Sequence, residues 1–369
     1  MKLTVTQENL NKALSIVSRI AGSKTPLPIL NNILVKTENN RLLLAATNLE
    51  IAITVFIGTK IDSKGSLTIP ARLLSEFVSN LPKNNIEIEN KGLHINIKSG
   101  MYESTINGLP ADEFPNLPVI SEKSAVVFTI PTTTLKQAIS QTIVAASHDT
   151  TRPMLTGAYL HTNKGELFIA ATDGYRLAER QITGIKVKSD IEAIIPVSSL
   201  QEVVRIIPDD QGEVEVLIDE NQVRFRVNDI ELTSKLIDAT FVDYRQLIPG
   251  SQDISVIINK DEFTRITKVA SLFARESAGG ITIKTNPIEK TISIHSVASQ
   301  LGENTSSATA EITGEGSITL NSRYLLEALN SIEGDNVEFG FNGKLSPSIL
   351  SNADETNSNY QHIIMPLKS

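Results

Sequence analysis

The sequence predicts an α+β chain built from three similar domains, with antiparallel sheets and paired helices, on three observations. A strand-helix element recurs at a spacing of about 125 residues: LTIPARLLSEFVSNLP (67–82), AIIPVSSLQEVVRIIP (193–208) and SITLNSRYLLEALNSI (317–332). The apolar positions of its three helices superpose. The segments between helices read as short alternating strands broken by turn residues. Each copy of the element is a short apolar strand, then Pro70, Pro196 or Asn321 at the helix entry, then a helix. Leu74, Phe77, Val78 and Leu81 match Leu200, Val203, Val204 and Ile207, and Leu325, Ala328, Leu329 and Ile332. That is the i, i+3, i+4, i+7 stripe of an amphipathic helix.

A second helix opens each copy, at 8–20, 133–146 and 261–273, after the strands KLTVT, AVVFTI and DISVII. Between helices come hairpins: LPILNNILVKT with RLLLAAT and IEIEN with LHINIK in the first copy, AYLHT with ELFIAAT and EVEVLI with QVRFRV in the second. ITIKT with KTISIH and VEFGF with KLSPSIL follow in the third, and Asn342-Gly343 predicts a tight turn there. Each half-domain is therefore strand, helix, three strands, repeated six times. Clusters of Pro, Gly and Ser place the domains at 1–122, 123–250 and 251–369.

With 369 residues and 40% hydrophobic content, three ordinary cores are affordable. There is no cysteine, which excludes thiol catalysis, disulfides and cysteine-ligated zinc and accords with a reducing compartment. The N-terminus is patterned as strand and helix rather than as a signal segment, and no apolar run approaches a membrane span, so a cytoplasmic location is expected. The formal net charge of −8 argues against gripping nucleic acid by bulk attraction. The charge is unevenly placed, however. Six helix windows (7–24, 71–83, 131–152, 197–208, 260–276, 321–333) hold 13 Lys/Arg and 9 Asp/Glu, a net +4 that leaves −12 for the remainder. Basic helices in an acidic chain suit a protein that surrounds a polyanion.

No phosphate-binding loop, dinucleotide fingerprint, nucleophile elbow or metalloprotease motif is present, and the five histidines are scattered. No metal or cofactor is expected, and no catalytic residue is assigned. Two stretches stand out instead. ATDGYRLAER (171–180) has an echo 125 residues earlier in AATNLEIAI (45–53), and the C-terminus HIIMPLKS is apolar where chain ends are commonly polar. Such a tail either completes a sheet or walls an apolar groove.

ATDGYRLA, LPIL (27–30), ADEFPNLP (111–118), FVDYRQLIP (241–249) and the terminal MPL together resemble the bacterial DNA polymerase III β subunit family, the sliding clamps, over essentially the whole chain. The resemblance implies a DNA-clamp fold in a ring-shaped head-to-tail homodimer, with sheets outside and helices lining a hole around double-stranded DNA. It implies a non-catalytic processivity factor that tethers the DNA polymerase III catalytic subunit, the clamp loader and other polymerases or repair proteins through short peptides. Carried over by position, the peptide cleft between domains two and three comprises Arg152, Leu155, Thr172, Gly174, Tyr175, Arg176, Leu177, Val242, Leu247, Asn321 and Tyr324. The tail adds Ile363, Met365, Pro366, Leu367 and Lys368. Val242 stands where the family has proline, Met154 where an aromatic is common, and the chain ends in Lys-Ser. Lys24 and Arg72 match basic positions of the inner surface. Helix placement adds Lys12, Lys136, Arg205, Lys268 and Arg323, and Leu272 with Phe273 match the dimer seam. The alternative from another class is a protein-binding repeat scaffold that never meets DNA, which retention on circular DNA separates from a clamp.

Overall fold

The computed structural model of the protein describes residues 1–22, 27–187, 189–209, 211–300, 302–355 and 358–367. Six strand-helix-three-strand patterns follow one another along the chain. The first is β1 (Lys2–Thr6), α1 (Gln7–Val17), β2 (Asn32–Glu38), β3 (Arg41–Thr47) and β4 (Ile51–Gly58). After an extra strand β5 (Lys60–Ser63), the second is β6 (Ser66–Pro70), α2 (Ala71–Ser79), β7 (Asn85–Lys91), β8 (His94–Ser99) and β9 (Tyr102–Asn107). The third is β10 (Val126–Pro131), α3 (Thr132–Thr142), β11 (Gly157–Asn163), β12 (Glu166–Thr172) and β13 (Arg176–Ile182). The fourth is β14 (Glu192–Pro196), α4 (Val197–Ile206), β15 (Glu213–Ile218), β16 (Gln222–Val227) and β17 (Ile230–Lys235). The fifth is β18 (Ile254–Asn259), α5 (Lys260–Phe273), β19 (Gly280–Asn286), β20 (Thr291–Ala298) and β21 (Gly302–Thr309), followed by a short β22 (Glu311–Thr313). The sixth is β23 (Gly316–Asn321), α6 (Ser322–Ser331), β24 (Asn336–Phe341), β25 (Ser348–Asn352) and β26 (Tyr360–Ile364).

The opening strand of each pattern leaves its own three strands and pairs with those of its neighbour. β1 bonds to β7 and β6 to β2; β10 to β15 and β14 to β11; β18 to β24 and β23 to β19. Consecutive patterns are thereby interlocked in twos, all antiparallel. Closing strands then join across patterns, β4 to β17 and β13 to β26, giving sheets of eight and nine strands. Compactness divides the chain into one unit of Met1–Thr133 with Gln201–Leu236 and another of Thr134–Leu200 with Ile237–Ser369. The division follows the long sheets, because hydrogen-bonded strands hold together more residues than the connections between them do.

Helix stripes are buried as their spacing predicts. Leu10, Ala13, Leu14 and Val17 of α1, and Leu74 and Val78 of α2, are closed from solvent, as are Phe263, Ile266 and Ala270 of α5 and Leu325, Ala328 and Leu329 of α6. α1 packs on α2, and α5 on α6. Each fully buried leucine or phenylalanine contributes roughly 1.5–3 kcal/mol. Thr6, Asn259 and Asn321 cap α1, α5 and α6 by accepting from backbone N–H groups of the first turn. Among the described residues no helix is long and apolar enough to cross a membrane.

Several local expectations are corrected. Pro28–Asn31 forms a 3-10 turn, so the LPIL stretch precedes the first hairpin rather than belonging to it. Asn342-Gly343 does not make a two-residue turn, since β24 ends at Phe341 and β25 begins at Ser348. The Asn342 side chain instead accepts from the Asp253 N–H (2.6 Å) and donates to the Ser251 carbonyl (2.7 Å), tying down the start of β18. Phe77 and Val204 sit at the stripe margins, half-buried.

Candidate functional site

The ATDGYR turn between β12 and β13 is built from its own side chains. The Thr172 hydroxyl donates to the Arg176 carbonyl (2.6 Å) and accepts from Gly174 N–H (3.0 Å), while Asp173 Oδ1 accepts from the N–H groups of Tyr175 (2.9 Å) and Arg176 (3.0 Å). Its echo between β3 and β4 makes the same four bonds with Thr47, Asn48, Leu49, Glu50 and Ile51. The turn geometry is therefore a property of the repeat. Gly174 takes φ +93° there without steric penalty, whereas Leu49 takes φ 76° with one. What differs is the load: Tyr175 and Arg176 stand where the echo has Glu50 and Ile51.

Arg176 is the chemical centre of the turn and only 5% exposed. Its Nε donates to Asp173 Oδ2 (3.1 Å), its Nη1 donates to Glu327 of α6, and its guanidinium lies over the Tyr324 ring, 4.4 Å from the centroid. Glu327 also accepts from Arg323 Nε at 2.8 Å. Burial opposes ionisation of Glu327, but the bonds from Arg323 and Arg176 hold its pKa below the usual carboxylate value. Asn321, capping α6, donates its amide to the Ala278 carbonyl (3.0 Å). Arg152 lies on the other side of the turn, its Nη1 3.5 Å from where a Cβ on Gly174 would stand.

The apolar tail completes a sheet. β26 lies between β13 and β25, with Leu177 opposite Ile363. Beyond it Met365 N–H donates to the Tyr175 carbonyl (2.8 Å) and Leu367 N–H to the Thr319 carbonyl (2.8 Å), so Met365, Pro366 and Leu367 lie half-buried along the turn. Leu177 and Ile363 pack with Ala170, Ile194, Phe241 and Tyr244, and Met154 and Ile248 lie against them. Leu155 and Thr172 are buried too. Tyr175, Val242 and Leu247 are the exposed apolar members of the expected set, at 62, 41 and 50%. The structure gathers the turn, the α6 entry and the tail by direct bonds. It leaves Val242 and Leu247 outside the packed cluster, on the segment that Phe241 and Tyr244 anchor. Lys368 falls outside the described residues.

A buried polar group beneath this segment was not foreseen. Tyr244 donates its hydroxyl to Glu179 and lies 2.7 Å from His161 Nε2; Arg245 pairs with Glu179 at 3.0 Å and stacks 4.3 Å over Phe168; Gln361 donates to Glu179 at 2.8 Å. Burial, then the Glu179 charge, pushes the Tyr244 phenol above its ordinary pKa. These partners come from β11, β12, β13, β26 and a loop, and sequence spacing cannot pair them. Glu327 had one signal, its place four residues after Arg323.

Of the basic helix positions, Arg72 pairs with Glu76 (2.8 Å), Arg205 with Glu202 and Arg323 with Glu327, each within its own helix. Lys12 and Lys268 are exposed, Lys136 is half-exposed, and Lys24 falls outside the described residues. Leu272 is 54% exposed and Phe273 half-buried at the end of α5. Among the described residues no cluster of His, Asp and Glu suits a metal ion.

Paired two-helix domains on antiparallel sheets, repeated along one chain, define the DNA-clamp fold. Family models of the N-terminal, central and C-terminal domains of the DNA polymerase III beta subunit match residues 1–118, 129–243 and 245–368. A beta sliding clamp of Bacillus subtilis (strain 168) is 33% identical over 387 aligned residues, covering 100% of both chains. The crystal structure of a Bacillus subtilis DNA polymerase sliding clamp superposes with a TM-score of 0.93 at 31% identity, over 100% of this chain and 99% of that one. A Pseudomonas aeruginosa sliding clamp bound to griselimycin superposes at 0.94 with 26% identity, over 100% of both chains. The chain belongs to the DNA polymerase III beta subunit family and is a DNA sliding clamp, a non-catalytic processivity subunit.

Proposed function

We propose that two copies of this chain close head to tail into a six-domain ring around duplex DNA, with domains bounded near residues 122 and 250. One observation carries the reading. Closing strands pair with closing strands, β4 with β17 and β13 with β26, and two are left over: β9 and β21 end their sheets. An open strand edge is an unsatisfied row of hydrogen-bonding groups. A second copy related by a twofold axis answers both edges at once, β9 of each against β21 of the other. Leu272 and Phe273 lie on α5, which packs on β21, and supply the apolar part of this seam.

Within the ring, Lys12, Arg72, Lys136, Arg205, Lys268 and Arg323 face the DNA. Three of these charges are already shared with carboxylates of their own helices. The grip on phosphate is therefore weak and retention topological. The protein is expected to stay on a nicked circle after loading and to leave once the circle is cut. Equal retention on linear and circular DNA refutes the reading.

Partner proteins, among them the polymerase III catalytic subunit, the clamp loader and repair polymerases, dock a short peptide in the cytoplasm at the cleft of the ATDGYR turn. Its floor is Leu155, Thr172, Leu177 and Ile363. Its walls are Tyr175, Val242, Leu247 and the tail 365–367, and its polar rim is Arg152, Gly174, Arg176, Asn321 and Tyr324. Burying one Leu and one Phe contributes roughly 3–6 kcal/mol before ordering costs, and an affinity of about micromolar, roughly 8 kcal/mol, draws the remainder from hydrogen bonds to the polar rim. Deleting residues 365–369 removes the bonds to Tyr175 and Thr319 but leaves β26 whole. Peptide binding measured by fluorescence anisotropy should be lost while the dimer mass persists in light scattering. Unchanged affinity makes the tail a sheet edge only.

A further inference from the structure

The first unit contains a cavity of about 550 Å³ that the clamp function does not use. Strand alternation puts Leu43 and Ala45 of β3 on the face opposite Leu42, Leu44 and Ala46. On that face Leu34, Leu43, Ala45 and Phe114 form a small core, with Phe56, Ala111 and Leu117 half-covered against it. The segment 111–119 crosses the sheet and is pinned by Phe114. Beside it the cavity opens, bordered by Phe56, Leu117, Val119, Lys36, Glu231 and Arg224.

Arg224 of β16 is the telling residue. It is 8% exposed, and its Nε donates to the Thr233 hydroxyl at 3.3 Å. Among the described residues no carboxylate pairs with it, and its two amino groups make no hydrogen bond. Its neighbours on the same strand and rim are satisfied: Arg226 sits between Glu215 and Glu231, each at 3.0 Å, and Lys36 pairs with Glu38 at 2.8 Å. A largely buried guanidinium with no counter-ion among the described residues is stabilised when an anion completes it. The fork of amino groups matches a carboxylate in two parallel bonds. The apolar border runs out to Val119 at the cavity mouth, which is 82% exposed, so the surface is longer than a small anion needs.

We propose that this cavity is a second binding site, separate from the tail cleft, for a linear peptide carrying an aspartate or glutamate next to a bulky aliphatic residue. The carboxylate meets Arg224, and the aliphatic side chain lies against Phe56, Leu117 and Val119. The volume lies in the range of ligand pockets and holds two or three side chains.

The test is isothermal titration of the full-length protein with acetyl-Gly-Asp-Leu-Val-Gly-amide, whose only charge is the aspartate. Binding of roughly 100 µM is expected. Arg224→Gln, or Asn for Asp in the peptide, should weaken it about tenfold or more, as loss of a charged hydrogen-bonded pair does. Arg224→Lys should restore part of the affinity. Val119→Glu, at an exposed position that does not endanger folding, should also abolish binding by placing a like charge beside the peptide. A saturating peptide ending in Leu-Phe, held by the tail cleft, should not displace the probe. No heat of binding at millimolar peptide, equal binding by Arg224→Gln, or displacement by the Leu-Phe peptide each overturns the proposal.

Discussion

Acid should loosen the second unit through two buried histidines. His362 on β26 is fully enclosed; its Nδ1 lies 2.8 Å from the Tyr360 hydroxyl, and its Nε2 has no partner among the described residues. Burial first, then repulsion from Arg176, lowers its pKa to about 3. His161 stacks between Tyr159 (4.5 Å) and Phe168 (5.7 Å) against Tyr244. Burial outweighs the hydrogen bond to the Thr162 carbonyl, Arg245 adds repulsion, and its pKa falls to about 4. Both rings are neutral when folded, whereas the unfolded chain protonates them near 6.5. The stabilisation is thus whole above pH 6.5 and declines as pH falls, through about 4 for His161 and about 3 for His362. Each histidine contributes a slope of about 1.4 kcal/mol per pH unit in that window, so the pair removes roughly 5 kcal/mol between pH 6.5 and 4.5. That is comparable with the whole stability of an ordinary domain.

Urea unfolding followed by circular dichroism across pH 4.5–7 reads this slope. His362→Gln should reduce the pH dependence of stability by about 1.4 kcal/mol per unit relative to the parent, whatever its effect at neutral pH. Because β26 and the Phe241–Tyr244 segment carry the proposed cleft, peptide capture should fail in the same range. An NMR titration in which the His362 ring of the folded protein protonates near pH 6.5 refutes the reasoning, as does an unchanged slope in the variant.

Arg176→Ala should lower stability by about 3–5 kcal/mol, because Asp173 and Glu327 lose their shared cation, and thermal unfolding checks it. Asn321→Ala should cost about 1 kcal/mol in the same assay through loss of the α6 cap. The repeated turn offers a matched pair: Gly174→Ala at φ +93° should destabilise by roughly 1 kcal/mol, and Leu49→Gly at φ 76° should stabilise by roughly 0.5–1 kcal/mol. Replacing Leu272 and Phe273 with aspartate should shift light scattering from about twice the 40.2 kDa chain mass towards the single chain, since the proposed seam then buries charge.

Local structure was legible in the residues: six strand-helix-three-strand patterns, their stripes, and the Thr-Asp-Gly turn with its echo. Those features depend on neighbours within a few residues, where periodicity and side-chain-to-backbone bonds act directly. Asn342-Gly343 misled because its amide was claimed by Ser251 and Asp253, about ninety residues away. The exchange of opening strands, which makes β1 a neighbour of β7, leaves no mark on the residues of either strand, since an antiparallel partner is recognised by its pattern and many strands share one. The candidate site divides the same way. Thr172, Gly174 and Arg176 were legible in one motif, and Ile363, Ile364, Met365, Pro366 and Leu367 as one apolar run. Folding alone brings Arg176 to Glu327, gathers Tyr244, His161 and Glu179 into one buried group, and leaves Arg224 with no counter-ion among the described residues. Charge pairing acts through space over a few ångströms, and contour length along the chain says nothing of which groups will meet at that distance.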